Sequence, residues 1–191
     1  MSGQSRYFPA FLTLDGKKIL MVGGGKIAND KLLKLLDFTS DIFVIAIDFS
    51  QETLKNIRLN QLRYEKRKFE DSDLNGFDMV VVAVDDISLQ KHIYDISRNK
   101  RILVNAVDSK KYCDFIFGSY IKQDDLIISI STSGTSPSVS KYLRIFLEKS
   151  LPKNLSSFLK EIKLLRQKLP KGKERMKLLD EKCKSFFDSV Q

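Results

Sequence analysis

The run KKILMVGGGKIANDKLLKLL, residues 17–36, constrains the chain more than any other stretch. Its first half is short and apolar and ends in three glycines. Its second half carries Ile27, Leu32, Leu35 and Leu36 near helical spacing. A strand that turns through glycines directly into a helix is the first part of a strand–helix–strand unit, and that unit builds parallel sheets. The alternation continues. DIFVIAID (41–48) is short, apolar and β-branched, as a strand buried on both faces should be. SQETLKNIRLN predicts a helix with Ser50 as N-cap. RYEKRKF predicts a polar strand near the sheet edge. FDMVVVAVD and ILVNAV predict two more buried strands. Between them DISLQKHIYDISRN predicts a helix with Ile87, His92, Ile93 and Ile96 on or near one face.

After Asp108 the pattern changes. FIFGSYI and LIISIST, divided by the polar KQDD, predict a β-hairpin. In SGTSPSVSKYLRIFLEKSLP, Ser136 reads as an N-cap and Pro137 as the first helical position. Residues 153–191 are helical and basic. Leu155, Phe158, Leu159, Ile162, Leu165 and Leu169 form one apolar stripe; Met176, Leu179, Cys183, Phe186 and Phe187 form another, with Pro170 and Gly172 between them.

Composition narrows the function classes. At 42% apolar residues the chain can bury a core. No apolar run approaches the roughly 18 residues that cross a bilayer, and the first residues lack a signal-type apolar core, so a soluble, cytoplasmic protein without a membrane partner is expected. Cys113 and Cys183 lie far apart without CxxC spacing, which argues against a disulfide framework or a structural zinc site. The formal charge of +9 favours anionic partners, although a lysine-rich solvated surface explains it equally well. No recognition helix, zinc finger or RNA-binding signature accompanies it, so nucleic acid is not expected.

The glycine turn, residues 23–28, fits G-x-G-x-x-[G/A] between a strand and a helix. Gly23 permits the tight turn, Gly25 lets the backbone approach a pyrophosphate, and Ala28 lets helix pack closely on strand. Asp48 ends the second strand, where an acid binds ribose hydroxyls and repels a 2′-phosphate, which favours NAD over NADP. The plainer alternative is a structural turn with Asp48 opening a loop. Asp85 and Asp86 end the fourth strand, on the side where ligands sit in such sheets. Asp85 would line the crevice, and Asp86 would serve equally well as a helix cap. Asp108 ends the fifth strand over the same crevice, either as an acid delivered to a reaction or as the cap of the turn into SKKYC.

FPAFLTLDGKKILMVGGGKIA, VVVAVDD, LVNAVDSKKYCDFIF and ISISTSGTSPSVSKYLR occur in this order, and through them the chain resembles the precorrin-2 dehydrogenases. That family includes the N-terminal part of siroheme synthase and stand-alone dehydrogenase/ferrochelatase enzymes. The resemblance implies NAD-dependent oxidation of precorrin-2, a polycarboxylate tetrapyrrole, to sirohydrochlorin. Some members then insert Fe2+ as a second substrate; others only oxidise. It implies a homodimer of α/β class, with a Rossmann-type parallel-sheet domain that binds NAD over residues 1–114. A β-hairpin/helix dimerisation segment would follow over 115–150, and a small helical C-terminal domain over 151–191. The family's N-[A/V]-V-D acid falls on Asp108. Cofactor contacts fall on the glycine turn, Gly23 and Gly25 with Lys26 and Ile27, and on Ile47 and Asp48; Asp85 is expected to join them from its strand end, and substrate contacts are expected at Asn105, Thr132 and Ser136. Backbone N–H groups and hydroxyls of residues 131–138 would hold a substrate carboxylate. Ser133 stands where glycine is frequent and Gly118 where proline is frequent. Chelating members also use a histidine, and the single one here, His92, is placed on a helix of the sheet domain. A reading from another class is a non-catalytic NAD(H)-sensing module, which would not need an acid at Asp108.

Overall fold

Strands β1 (Ile19–Val22), β2 (Ile42–Ala46), β3 (Arg63–Lys66), β4 (Met79–Val82) and β5 (Leu103–Ala106) pair in parallel in the order β3-β2-β1-β4-β5. Helices α1 (Lys26–Leu36), α2 (Gln51–Leu59) and α3 (Ile87–Lys100) connect them. The computed structural model describes residues 7–189, and the chain divides into two units, Met1–Phe117 and Gly118–Gln191. Strand order reverses between β1 and β4, the place where parallel sheets open a crevice at their carboxyl ends.

The apolar runs are buried because both faces of the sheet are covered. Ile19, Met21, Val44 and Val81 point into one core with Ala28, Leu32 and Leu35 of α1 and Ile57 of α2. Leu20, Val22, Ile45, Val80 and Val82 point into the other, with Ile93 of α3 and Leu74. β3 is exposed throughout and lies at the sheet edge, as its polar sequence implies. Ser50 and Asp86 cap α2 and α3 by accepting from Thr53 N–H at 3.1 Å and Leu89 N–H at 3.0 Å.

Two sequence expectations shift. The buried face of α3 runs through Gln90, Ile93 and Ser97, whereas Ile87 is 60% exposed. His92 faces outward and hydrogen-bonds Asp71 at 2.7 Å. Gln90 shares this face, with its Nε2 donating to Val84 O at 2.7 Å, while Ile93 is buried and Leu89 and Ile96 pack on the same core. The strand expected across FIFGSYI begins only at Ser119. Phe115 and Phe117 instead pack beside the α1 core, with ring centroids 5.6 Å apart.

In the second unit, β6 (Ser119–Gln123) and β7 (Leu126–Ile130) form the antiparallel hairpin, and α4 (Pro137–Ser150) packs against both. α5 (Leu155–Lys168) and α6 (Lys173–Asp188) meet through stacked Phe158 and Phe186 rings, 4.0 Å between centroids. Met176 and Phe187 of the second stripe stay exposed. Ser133 has φ 52°, a left-handed conformation that glycine adopts without strain. A Cβ on Gly118 would lie 2.8 Å from Ile130 O.

One clamp shapes the rim beyond β3. Arg67 donates from Nη1 and Nη2 to the two carboxylate oxygens of Asp73, at 2.8 and 2.6 Å. Asp73 also accepts from Glu70 N–H at 2.7 Å, which closes a 3-10 turn over Asp71–Leu74. Arg67 holds the Asp73 carboxyl below its ordinary value of 3.8. A carboxyl depressed on folding stabilises the fold above the unfolded value, and that contribution is lost as pH falls through the folded value. Asp73→Asn should therefore lower the melting temperature at neutral pH. The gap to wild type should close as pH drops below 3.8, measured by circular dichroism melts across pH. A gap that stays constant down to the acid transition would contradict this.

Candidate active site

The carboxyl ends of the strands open on a cavity of about 720 Å³. Its wall is built by residues 23–27 after β1, Ile47 and Asp48 after β2, residues 67–69 after β3, residues 83–86 after β4, and Val107 and Asp108 after β5.

The three glycines have three different reasons to be glycine. Gly23 has φ 126°, and its N–H donates to Ile45 O at 2.8 Å; a Cβ there would lie 2.2 Å from Ala83 O. A Cβ on Gly24 would lie 2.4 Å from Asp48 O and 2.7 Å from the Phe49 ring. A Cβ on Gly25 would meet nothing within 4 Å. Gly23 and Gly24 thus seat the turn against β4 and the β2–α2 loop, while Gly25 leaves space on the cavity side. Gly25 is the N-cap of α1 with no side chain on the first N–H groups, and the first turn of α1 carries no acid. Bare N–H groups at a helix N-terminus suit an anion, and a pyrophosphate fits this turn. Ala28 is fully buried against the sheet.

Asp48 projects into solvent, 2.9 Å from Lys66 Nζ. Hydrogen bonding to Lys66, then to the Phe49 N–H, holds its carboxyl below the usual range. Exposed Ile47 offers an apolar face beside it. Asp85 is exposed at the cavity wall, whereas Asp86 serves α3 as its cap.

The acids after β5 divide sharply. Asp114 accepts from Arg98 Nη1 and Nη2, at 2.8 and 2.5 Å, and from Val104 N–H at 2.8 Å, so it ties the loop to α3 and β5. Asp108 is exposed, has φ 64°, and has no hydrogen-bond or ion-pair partner for its carboxylate among the described residues. The loop under it is held by Cys113, whose thiol donates to Ala106 O at 3.0 Å and is also 3.4 Å from Ser109 O. Burial pushes the Cys113 thiol up from its ordinary value. Lys31 lies half-buried on α1 with Nζ 5.0 Å from the Phe117 ring centre. Burial lowers its pKa, and the charge of Asp108 is the foremost influence in the other direction.

Of the residues singled out in the sequence, Gly23, Gly25, Lys26, Ile27, Ile47, Asp48, Asp85 and Asp108 line this one cavity. Asn105 lies beneath it, buried, with Nδ2 donating to Phe115 O at 2.8 Å. Thr132 and Ser136 belong to the second unit and build the entry to α4. Ser136 N–H donates to Thr132 Oγ1 at 3.1 Å, and Ser136 Oγ accepts from Val139 N–H at 3.2 Å. Sequence reasoning passed over Gly24, Lys31, Lys66 and Lys68. The basic run in RYEKRKF was the available signal for the last two, once β3 is set beside β2 with Ala46 opposite Lys66.

Residues 10–119 match a family model described as "Putative NAD(P)-binding". The chain is 34% identical over 178 residues to the siroheme biosynthesis protein met8 of Schizosaccharomyces pombe, covering 88% of this chain and 67% of that protein. It is 36% identical over 149 residues to siroheme synthase 2 of Pectobacterium atrosepticum, covering 78% of this chain but only 32% of that protein. The chain therefore spans about a third of such siroheme synthases. The solved structure of SirC, precorrin-2 dehydrogenase, superposes with a TM-score of 0.77 at 26% identity, covering 96% of this chain and 98% of that one.

The glycine geometry makes a paired prediction. Gly25→Val should fold normally and bind NADH at least about tenfold more weakly, because its side chain fills the phosphate position. Gly24→Ala should instead lower the melting temperature, because its Cβ meets backbone. Thermal melts and NADH fluorescence titration separate the two, and normal binding by folded Gly25→Val would reduce the turn to a structural role.

Proposed function

Because the chain belongs to the family described as putative NAD(P)-binding and is similar over most of its length to the siroheme biosynthesis protein met8, we propose that it is a precorrin-2 dehydrogenase. It oxidises precorrin-2 to sirohydrochlorin in siroheme biosynthesis, with NAD as cofactor. The observation that carries the reading is Asp108: an exposed carboxylate, coupled by charge to Lys31, in the same cavity as the bare glycine turn. An NAD(H) sensor needs the turn but gives no reason for the acid.

Oxidation removes a hydride and a proton from the tetrapyrrole. The bound dinucleotide supplies the hydride acceptor. Asp108 takes the proton as the new double bond forms, acting as general base. Lys31, beside Asp108, and Lys26, at the cavity wall, offer cations to the carboxylates of the substrate. Asn105 acts from below by fixing the Phe115 carbonyl, and so the loop that ends β5. Thr132 and Ser136 contribute to substrate binding through the backbone N–H groups of the turn they shape. Fe2+ insertion into the product is a further step that the same carboxylate would assist, taking one of the two pyrrole protons and passing it to solvent before the second leaves. His92, bonded to Asp71 and not among the cavity-lining residues, is given no part in it.

The working unit is a homodimer formed through the second unit. Val139, Tyr142, Leu143 and Phe146 make an exposed apolar stripe along α4, which a second copy would cover. We place the protein in the cytoplasm; among the described residues no helix is long and apolar enough to cross a membrane.

Precorrin-2 and NAD+ should give the sirohydrochlorin absorbance with the protein and not without it, and Fe2+ added afterwards tests metal insertion. Asp108→Asn should stay folded, bind NADH and lose at least about tenfold in rate, since a positioned base is typically worth about 10² to 10⁴. A near-normal rate would return Asp108 to a turn-capping role. Light scattering should show a dimer at micromolar concentration and a monomer for Phe146→Glu; a monomeric wild type would refute the interface.

A further inference from the structure

Packing alone gives no reason for a lysine at position 31. Lys31 is half-buried on α1 with its ammonium 5.0 Å from the Phe117 ring centre, and that ammonium makes no hydrogen bond or ion pair among the described residues. Phe117 packs in turn on Phe115, whose carbonyl accepts from Asn105. Partial burial of a lone cation costs solvation. The largest influence that offsets it is the charge of Asp108, ahead of exposed Asp30 and of Cys113. The other charges around the β5 loop are engaged or turned elsewhere. Lys111 lies over the Tyr112 ring on the opposite face of the sheet, Asp114 is held by Arg98, and Lys110 is exposed. Lys26 and Asp85 share the cavity wall with Asp108 and are opposite in sign.

We propose that Lys31 is a positioning residue that acts through Asp108, keeping this carboxylate ionised while the substrate covers it. The need arises in the covered state. A tetrapyrrole seated beside Asp108 strips water from the carboxylate, and a desolvated carboxylate takes up a proton and ceases to be a base. A fixed cation nearby opposes this, because its attraction strengthens as water leaves. The Phe117 ring suits that cation, since it stabilises the charge without supplying an anion that competes with Asp108. Lys31 is not among the cavity-lining residues, so beyond a general attraction for an anionic substrate its influence runs through Asp108. Asp108 then accepts the proton released by oxidation, the dinucleotide accepts the hydride, and Lys31 keeps its own proton throughout.

The inference rests on the dehydrogenase reading with Asp108 as base. Sirohydrochlorin formation at saturating precorrin-2 and NAD+ is followed across pH for wild type, Lys31→Met, Lys31→Gln, Lys31→Arg and Asp108→Asn. Thermal melts and NADH titration confirm fold and cofactor site in each. The pH profile of kcat reports groups in the bound complex, and titration of the substrate's own carboxylates is common to all variants. Loss of a nearby cation disfavours the ionised carboxylate. The acid limb of Lys31→Met and Lys31→Gln should therefore move to higher pH by at least about one unit, and Lys31→Arg should keep the wild-type limb. A limb that stays in place, with the rate lowered equally at every pH or with only KM raised, overturns the proposal and leaves Asp108 as the base. A near-normal rate in Asp108→Asn, or no sirohydrochlorin from wild type, overturns the base reading and this proposal with it.

Discussion

Everything at the carboxyl end of the sheet depends on how closely one turn can approach two others. Gly23 lies against the Ala83 backbone, and Gly24 lies against Asp48 and Phe49. Side chains at either position would push the β1–α1 turn away from β4 or from the β2–α2 loop. The cavity exists because these turns approach closely at positions without side chains, which brings the segments that follow all five strands around one space. Thr53, inside α2, donates from Oγ1 to Gly25 O at 3.3 Å, and Asn56 of α2 donates to Asn29 of α1 at 2.8 Å. The first helix is therefore positioned by its neighbours, while its own N-terminus is left bare.

The same economy of roles separates the acids around the cavity. Asp86 caps a helix, Asp114 grips Arg98 and the β5 backbone, and Asp73 anchors the rim. Each satisfies backbone or guanidinium donors that would otherwise go unpaired. Asp85 and Asp108 have no such duty, and both face the cavity. A carboxylate near a ligand site is informative when structure has no other use for it.

Much of this was legible in the residues. Buried parallel strands read as unbroken β-branched runs because both faces are covered, and the polar RYEKRKF read as an edge because one side of it meets solvent. The glycine turn and Asp108 followed from their positions at strand ends. What stayed hidden depended on polar burial or on register. Gln90 and Ser97 turn inward on α3, which an apolar count cannot anticipate. Phe115 and Phe117 are an apolar run that packs as side chains on a core without joining a ladder. Lys66 meets Asp48 only once β3 is set against β2.

Cys113 carries a consequence beyond packing. Its proton is engaged by Ala106 O, and burial disfavours loss of that proton. The reactive form of a cysteine is the thiolate, so this sulfur is protected from oxidants and alkylating reagents while the loop is closed. Opening of the segment that bears Asp108 would free this half-buried thiol, so chemical labelling at Cys113 would quicken with that motion.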